Sequence, residues 1–482
     1  MWCVFHRVLL LYLFLHCVRA GVSAEERSKK PMATPPTPPP LSFAYSTFRG
    51  TVSGVHIANL RMPSDARGVR APVVVNLHGG FWKDTWGLHN LVTGELLAAF
   101  GSEDIASWDV EYARVDQSDP ANSTAGGGWP HTCLDALAAL NALTELPPQI
   151  LDQLDLGRVY LCGHSAGGHL ALWLAYISRL APAELERLAA LVGNCAGPEA
   201  AQAMQQGVAR SLSVVGVIGL APVTSLTACA AAGLSDFHDA AVNFLWRLGP
   251  SGSAALATGE LGAACPMAHF CHLMAAMEEG GADGDAAASP PPLRTLLVHG
   301  LADTDVPASL SLALASAGWS HPTPLPLSLI LLAGADHYEA AGLCTPLGTG
   351  EREAAAQDAR DRAAQGGHDQ AGATPQVDGA TIRPWARVAA ALRAFVTNDE
   401  TTLGALSCAS LQQAEALVAE ASPAVCARQT LGSIATGEAA FARWAASEPA
   451  SAVCMARGLR RWFAHVGEAP GEVVREWLDA PR

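Results

Sequence analysis

The stretch that decides the fold is RVYLCGHSAGGHLALWLA, residues 158–175. An apolar run ends at Gly163, Ser165 stands between glycines at 163 and 167, and a helical apolar pattern follows from Ala166. A sharp strand-to-helix turn leaves little space for a Cβ atom at its flanks, which favours glycine on both sides. The pattern therefore predicts that Ser165 projects from such a turn as a nucleophile; the alternative is a small residue in a tight turn.

Short apolar runs alternate with longer helical patterns on both sides of this stretch. Such alternation is typical of a parallel sheet covered by helices, so the fold class is α/β. The periodicity predicts strands over residues 72–77, 105–113, 158–163, 213–222, 293–300 and 327–334, and helices over 131–143, 166–180 and 385–396.

Residues 43–396 carry this pattern, with two interruptions. Residues 223–292 are rich in Ala and Gly and are predicted to be a cap-like insertion. Residues 342–380 are polar and poor in bulky apolar side chains, which predicts a disordered loop. From residue 397 the pattern is purely helical, so residues 397–482 are interpreted as an appended helical extension.

The first 24 residues have the organisation of a secretory signal peptide. Arg7 precedes the apolar run 8–15, and small residues at 22–24 fit a cleavage site. The alternative is a membrane anchor, but the run is far shorter than the roughly 20 residues of a membrane span. The mature chain is therefore expected to be secreted or lumenal without a membrane span, and to begin with a Pro-rich linker, residues 25–42.

Charge excludes two classes of partner. The formal net charge is −15 and only 16% of the residues are charged, which argues against nucleic acid and anionic membrane surfaces. No cysteine or histidine spacing is typical of a metal site. In an oxidising compartment the cysteines are able to pair, and Cys408, Cys426 and Cys454 are candidates to bridge to one another or to Cys344.

A nucleophilic serine needs a base and an acid, which usually follow it in the order acid, then histidine. LLVHGLADTDVP places Asp303 and Asp305 after one predicted strand, and LILLAGADHYEAAG places His337 after the next. Ligands bind beyond the carboxyl ends of strands in open α/β sheets. We therefore expect Ser165, His337 and Asp303 to be catalytic, with Asp305 as the competing acid. Histidines elsewhere are expected to be structural, His299 buried and His321 exposed.

NLHGGFW, residues 76–82, follows a predicted buried strand. Backbone N–H groups of Gly79 and Gly80, together with that of Ala166, are predicted to form an oxyanion hole; a plain Gly-Gly turn is the alternative. Phe81 and Trp82 are expected to line the acyl pocket. For Trp129, a place at the pocket rim and packing against the core are both open.

These motifs together resemble the α/β-hydrolases, and most closely the kynurenine formamidase (arylformamidase) and small carboxylesterase branch. HGGFW, WDVEYAR, VYLCGHSAGGHLALWLA, LLVHGLADTDVPASLS and GADHYE occur in the order seen there. The resemblance covers residues 43–396 outside the insertions. It implies that His78–Trp82 is the oxyanion motif and that nucleophile, acid and base are Ser165, Asp303 and His337.

The sequence thus predicts a serine hydrolase that cleaves a small carboxylic ester or aryl amide and needs no metal or organic cofactor. Two other interpretations stay open. One is an exopeptidase of the prolyl-oligopeptidase kind, although its usual extra β-rich domain has no counterpart here. The other is a binding module on an inactive hydrolase scaffold.

Overall fold

The computed structural model describes residues 40–63, 69–88, 104–115, 126–226, 228–229, 241, 244–245, 260–280, 293–303, 305–319, 321, 325–342, 384–410, 412–414 and 417. Within these residues the strands are β1 Leu41–Ala44, β2 Ile57–Arg61, β3 Ala71–Leu77, β4 Ala106–Val110, β5 Leu154–His164, β6 Val214–Leu220, β7 Arg294–Gly300 and β8 Leu327–Leu332.

The strands form one sheet in the order β1-β2-β4-β3-β5-β6-β7-β8. β1 pairs with β2, and β2 with β4, in antiparallel fashion, whereas the five remaining pairs are parallel. Chain connections run from β3 to its neighbour β4 on one side and then to β5 on the other. The strand order therefore reverses at β3, and a crevice at such a reversal is where α/β sheets bind their ligands.

Successive side chains along the central strands enter two separate cores. Val73 and Val75 of β3 belong to one buried cluster, and Val74 between them belongs to the other. Every residue of β3 is buried. A strand covered on both faces has no polar side, which explains the continuous apolar run that predicted it.

Helices cover both faces of the sheet. They are α1 His131–Asn141, α2 Pro148–Leu151, α3 Ala166–Ile177, α4 Pro182–Ala196, α5 Pro198–Gln206, α6 Glu260–Ala264, α7 Pro266–Gly280, α8 Ala308–Trp319, α9 Pro384–Thr397 and α10 Glu400–Leu406, with 3₁₀ turns at Ala142–Glu145 and Glu339–Ala341. Helices α1, α3 and α8 contribute to the first core, and α9 to the second. A mostly parallel sheet between two helical layers is the predicted α/β-hydrolase fold.

The predicted strands and helices are all present, with shifted ends. β5 begins at Leu154, four residues before the predicted start at 158. β1 begins at Leu41, so the last two residues of the expected linker 25–42 belong to the sheet. The rest of that linker and the predicted signal peptide lie outside the described residues. Within the described residues no helix is long and apolar enough to cross a membrane.

The described part of the insertion 223–292 packs against the helix behind Ser165. His169 Nε2 of α3 donates to the carbonyl of Ala264 at 2.8 Å, and Trp173 Nε1 donates to that of Ala263 at 2.8 Å. Two buried side chains of α3 thus satisfy the C-terminal carbonyls of α6. This anchors α6 beside the predicted active site.

The first residues of the C-terminal extension form a helix and then pair with the edge strand of the sheet. Asp399 caps the N-terminus of helix α10, and its side chain accepts from the amide of Thr402. Cys408 then pairs with Leu329 of β8 through two backbone hydrogen bonds of 2.7 and 3.0 Å. Cys408 is buried, as are Cys133, Cys162, Cys229, Cys265 and Cys271, whereas Cys195 is partly exposed. Cys344, Cys426 and Cys454 and the loop residues 343–383 lie outside the described residues.

Candidate active site

Ser165 occupies the turn between β5 and α3 in a strained backbone conformation. Its φ is 54° and its ψ is −118°, which a residue with a Cβ atom rarely adopts. The Ser165 amide donates to Leu220 O of β6 at 2.9 Å. Strain of this kind persists only where the surroundings hold it, and it clusters at functional sites.

The glycines around Ser165 are required by space. A Cβ atom on Gly163 would lie 2.2 Å from the carbonyl oxygen of Gly167. A Cβ atom on Gly167 would lie 2.0 Å from that of Leu77 at the end of β3. The close approach of the helix start to two strand ends therefore depends on these two glycines, as the sequence predicted.

We expect Gly167→Ala to lower the free energy of unfolding by about 3 kcal/mol, at the upper end of overpacking effects, because the clash is with backbone. Gly404→Ala is the matched control, since it lies in α10 with no atom within 4 Å of its hypothetical Cβ. It should raise stability by roughly 0.5–1 kcal/mol, because alanine loses less backbone freedom in a helix. Urea unfolding of both variants measures the difference, and equal stability would contradict the packing argument.

The predicted acid and base are hydrogen-bonded to each other. His337 Nδ1 lies 2.7 Å from Asp303 Oδ2, so it donates to the carboxylate. Asp303 Oδ1 accepts from the amides of Asp305 and Val306 at 2.9 and 2.8 Å, and His299 Nε2 lies 3.2 Å from Oδ2. Three donors thus hold this buried carboxylate in one orientation, and His299 Nε2, whose shorter contact of 2.7 Å is to Val306 O, adds a weaker fourth. The sequence preference for Asp303 over Asp305 agrees with this geometry.

Asp303 and His337 shift each other's pKa in opposite directions. Burial alone would raise the pKa of Asp303, but the charge of His337 and the hydrogen bonds from His299 and His337 outweigh it and hold the pKa well below the ordinary 3.8. Burial alone would lower the pKa of His337, but the Asp303 carboxylate outweighs it and raises the pKa above 6.5. Asp303 is therefore ionised at neutral pH and stabilises a proton on His337.

The second ring nitrogen of His337, Nε2, is buried and has no hydrogen-bond partner among the described residues. No hydrogen bond joins it to Ser165 in this structure. The backbone of His337 is nevertheless tied to the serine turn, since His164 Nε2 donates to His337 O at 3.0 Å and the two rings lie 4.6 Å apart. Burial lowers the pKa of His164 to about 3, so its ring is neutral.

The loop after β3 lies against the serine turn. A Cβ atom on Gly79 would lie 2.8 Å from His164 Nδ1 and 3.4 Å from Ser165 Cβ. Gly80 has a φ of 107°, and a Cβ there would lie 2.4 Å from Trp86 Cβ. Gly79 therefore lies close to the serine turn, and the backbone bends sharply at Gly80. Ala166, the third predicted donor, is the buried first residue of α3.

A buried ionic cluster holds this loop from behind, and the sequence analysis gave it no role. His78 Nε2 lies 2.9 Å from Glu111 Oε1, and Arg114 Nη1 donates to the same oxygen at 2.5 Å. The amide of Leu88 donates to Glu111 Oε2 at 2.9 Å. The sequence does contain a signal for this cluster: VEYAR places the charged residues Glu111 and Arg114 directly after a buried strand. An unpaired charge there would cost free energy, so partners are expected.

Ser165 lines a small apolar cavity whose empty space, with open solvent included, is about 280 Å³. Phe81 and Trp82 line it, as predicted, and both hold positive φ values of 56° and 57°. The insertion contributes three lining residues to the same cavity. The full lining is Phe81, Trp82, Ser165, Val223, Cys229, Ala241, Asp305 and Val306.

Trp129 does not line this cavity, so of the two places left open for it the pocket rim is not the one found. Its side chain is fully buried, and its ring packs edge-on against Trp173 at 5.9 Å. Packing of a large ring into the first core is the alternative that the structure supports. His321, expected to be exposed, is also buried, and its Nε2 donates to Met274 O of α7 at 3.2 Å.

No known family profile and no curated protein matches this chain. Solved structures resemble it weakly. Esterase B from Lactobacillus rhamnosis is 19% identical, with 69% of this chain and 90% of that chain covered and a TM-score of 0.44. Thermogutta terrifontis esterase 2 is 17% identical, with 70% and 97% covered and a TM-score of 0.40. Pyrococcus horikoshii acylaminoacyl peptidase is 14% identical, with 62% and 37% covered and a TM-score of 0.38. At TM-scores under 0.5 these likenesses support no inference about activity, and the fold rests on the sheet order and layers.

Proposed function

We propose that this protein is a serine hydrolase that cleaves small carboxylic esters through an acyl-enzyme on Ser165. The observation that carries the proposal is the buried Asp303–His337 hydrogen bond of 2.7 Å beside a serine held at positive φ. A buried nitrogen without a partner calls for an explanation. His337 Nε2 is such an atom, and it is the one that a serine–histidine–aspartate triad reserves for the nucleophile.

In the first half of the reaction, His337 Nε2 takes the proton of the Ser165 hydroxyl while Oγ attacks the substrate carbonyl carbon. The tetrahedral intermediate then collapses, and His337 gives that proton to the leaving alcohol as the ester C–O bond breaks. Asp303 holds the Nδ1–H tautomer and stabilises the imidazolium. Backbone N–H groups of Gly79, Gly80 and Ala166 are assigned to the developing oxyanion.

In the second half, His337 Nε2 takes a proton from water as the water oxygen attacks the acyl carbon. It then gives this proton to Ser165 Oγ as the acyl C–O bond breaks and the carboxylic acid leaves. The Ser165–His337 hydrogen bond is open in this structure, and catalytic hydrogen bonds of unliganded enzymes often tighten only with substrate. The hydrogen bond from the His164 ring to His337 O ties the backbone of His337 to the serine turn, which supports this assignment.

The cavity favours a small apolar acyl group. Its empty space is about 280 Å³ with open solvent included, so the enclosed part is smaller, and its side chains apart from Ser165 and Asp305 are apolar. Within the ester class we propose short acyl chains, and we extend the proposal to aryl amides of the arylformamidase kind because Phe81 and Trp82 offer aromatic surfaces.

A substrate panel tests this assignment. The full chain is assayed with acetyl to decanoyl esters of one alcohol, with formylkynurenine and with aminoacyl amides. We expect the highest kcat/KM for the shortest acyl groups, and turnover of formylkynurenine if the aryl-amide extension holds. A preference for the longest esters would contradict the cavity argument, and cleavage of aminoacyl amides alone would favour an exopeptidase.

The pH profile follows from the Asp303–His337 pair. Only neutral His337 accepts the serine proton, so kcat/KM rises as pH rises through the pKa of His337 in the free enzyme. Since Asp303 raises that pKa, the midpoint of the acidic limb should lie above 6.5. Measurement of kcat/KM for an acetyl ester from about pH 5 to about pH 9 covers both limbs. A midpoint at or below 6.5 would show that the carboxylate does not outweigh the effect of burial on this histidine.

We further propose that the chain is exported, because residues 1–24 have the charge and apolar pattern of a signal peptide. The N-terminal residue of the mature protein tests this. Processing near Ala24 is the expected result, and a mature protein that keeps residues 8–15 would contradict it.

A further inference from the structure

Both ring nitrogens of His78 face hydrogen-bond acceptors. Nδ1 lies 2.7 Å from the carbonyl oxygen of Gly79, and Nε2 lies 2.9 Å from Oε1 of Glu111. Neutral imidazole carries a single N–H, so it satisfies only one acceptor and turns a lone pair towards the other. At these distances both nitrogens must donate, and the ring must carry two protons.

Among the described residues, none offers an alternative donor for Nδ1 of His78. The Tyr112 hydroxyl is 3.4 Å from Nδ1, but it already donates to His78 O at 2.5 Å. Rotation of the ring by half a turn would set carbon atoms against both oxygens. The described contacts of this ring therefore fit the imidazolium and neither neutral tautomer.

The groups packed around His78 are those that stabilise a buried cation. Glu111 supplies the counter-charge, and its pKa is lowered to about 2, since His78 and Arg114 outweigh the effect of burial. The ring of Tyr112 stacks on that of His78 at 4.3 Å with an angle of 8°, a cation–π arrangement. Arg114 is the competing cation, and it contacts the same Glu111 oxygen. His164, the neutral histidine next to Gly79, completes the titratable neighbours.

A second buried histidine–carboxylate pair in the same protein provides the contrast. His56 Nε2 lies 3.1 Å from Asp135 Oδ2, and both side chains are fully buried. Its Nδ1, however, accepts from the amide of Val52 at 3.0 Å. A nitrogen that accepts carries no proton, so His56 is neutral by the argument that makes His78 cationic.

We infer that His78 is a buried imidazolium that strengthens the oxyanion hole by polarising the Gly79–Gly80 peptide; this rests on the proposed function. Its Nδ1–H donates to the carbonyl of Gly79, and the N–H of that same peptide unit belongs to Gly80. Hydrogen bonds in a chain polarise one another, so a charged donor on the oxygen makes the Gly80 N–H a better donor. His78 acts through Gly80 and is a positioning residue, and Glu111 keeps it charged.

Nitrogen NMR of the full chain with ¹⁵N-labelled histidine reads the protonation directly at neutral pH. The signals of His78 and His56 are identified by their absence from spectra of His78→Gln and His56→Gln. We expect both nitrogens of His78 to resonate as protonated nitrogens, and His56 to show one protonated and one unprotonated nitrogen. An unprotonated Nδ1 in His78 of the wild-type protein would overturn the inference.

Glu111→Gln tests the role of the charge. Glutamine removes the counter-charge and leaves Arg114 beside the ring, which disfavours the second proton on His78. We expect kcat to fall roughly ten- to a hundredfold with little change in KM, less than the loss of an oxyanion donor outright. Asp135→Asn is the matched control, because it removes a carboxylate charge beside a histidine that is neutral, and should leave kcat nearly unchanged. Thermal unfolding of this variant checks the fold, since Asp135 also pairs with Arg49.

An unchanged kcat in Glu111→Gln, with His78 shown to be neutral, would overturn the polarising role. Failure of the proposed function has a different signature. Wild-type protein would then turn over no ester, whereas the NMR spectrum would still report the charge of His78.

Discussion

Ser165→Ala should abolish ester turnover, with a fall in kcat of about 10⁵- to 10⁶-fold, the loss known for removal of a triad nucleophile. The hydroxyl is the only atom of this side chain that is able to form the acyl bond, and water at the same position lacks its orientation. Alanine has the same Cβ atom as serine, so the strained backbone at φ 54° is no less favourable. The fold should therefore persist, and only chemistry should be lost.

Ser178→Ala provides the control at the other end of α3, where the hydroxyl donates to Ala175 O at 2.6 Å. Stopped assays of an acetyl ester, with thermal unfolding of each variant, measure both effects. Turnover by Ser165→Ala within tenfold of the wild type would remove the serine from the mechanism. Loss of turnover in Ser178→Ala at unchanged stability would show that the assay does not report the active site.

Asp303→Asn should lower kcat by about 10⁴-fold, as the corresponding change does in a serine protease triad. The asparagine amide either donates towards Nδ1 or accepts more weakly from it, so His337 loses the tautomer that leaves Nε2 free for the serine. The stabilisation of the imidazolium is lost together with the carboxylate charge. The acidic limb of the pH profile should also move to lower pH, because Asp303 is what raises the pKa of His337.

Asp305→Asn distinguishes the two candidate acids. Asp305 contributes its backbone amide to Asp303, and this contact survives the substitution. Its side chain lines the cavity, so we expect a moderate change in KM and a far smaller change in kcat than in Asp303→Asn. An equal or larger loss of kcat in Asp305→Asn would show that Asp303 is not the acid of the triad.

The sequence predicted what depends on local pattern. The apolar run of β3 and the glycines around Ser165 each follow from constraints within a few residues, and both are found in the structure. The partner of His337 was predicted because consecutive parallel strands end at the same edge of the sheet. Asp303 and Asp305 both lie at that edge, and only the hydrogen bonds of the folded loop separate them.

The sequence did not reveal what depends on distant contacts. His78 and Glu111 are 33 residues apart and meet because β3 and β4 are neighbours in the sheet. Trp129 is aromatic, as many pocket residues are, but its packing partner Trp173 belongs to helix α3, which is distant in sequence. His321 follows the same rule, since its hydrogen bond reaches Met274 of the insertion. In each case the side chain's role depends on which element packs against it.

Labelling of the folded full chain with a fluorophosphonate, followed by mass spectrometry of the peptides, tests the central claim most directly. The account predicts one covalent adduct, on the oxygen of Ser165, and no adduct in Ser165→Ala. A folded wild-type protein that stays unlabelled, or an adduct on another residue, would contradict it.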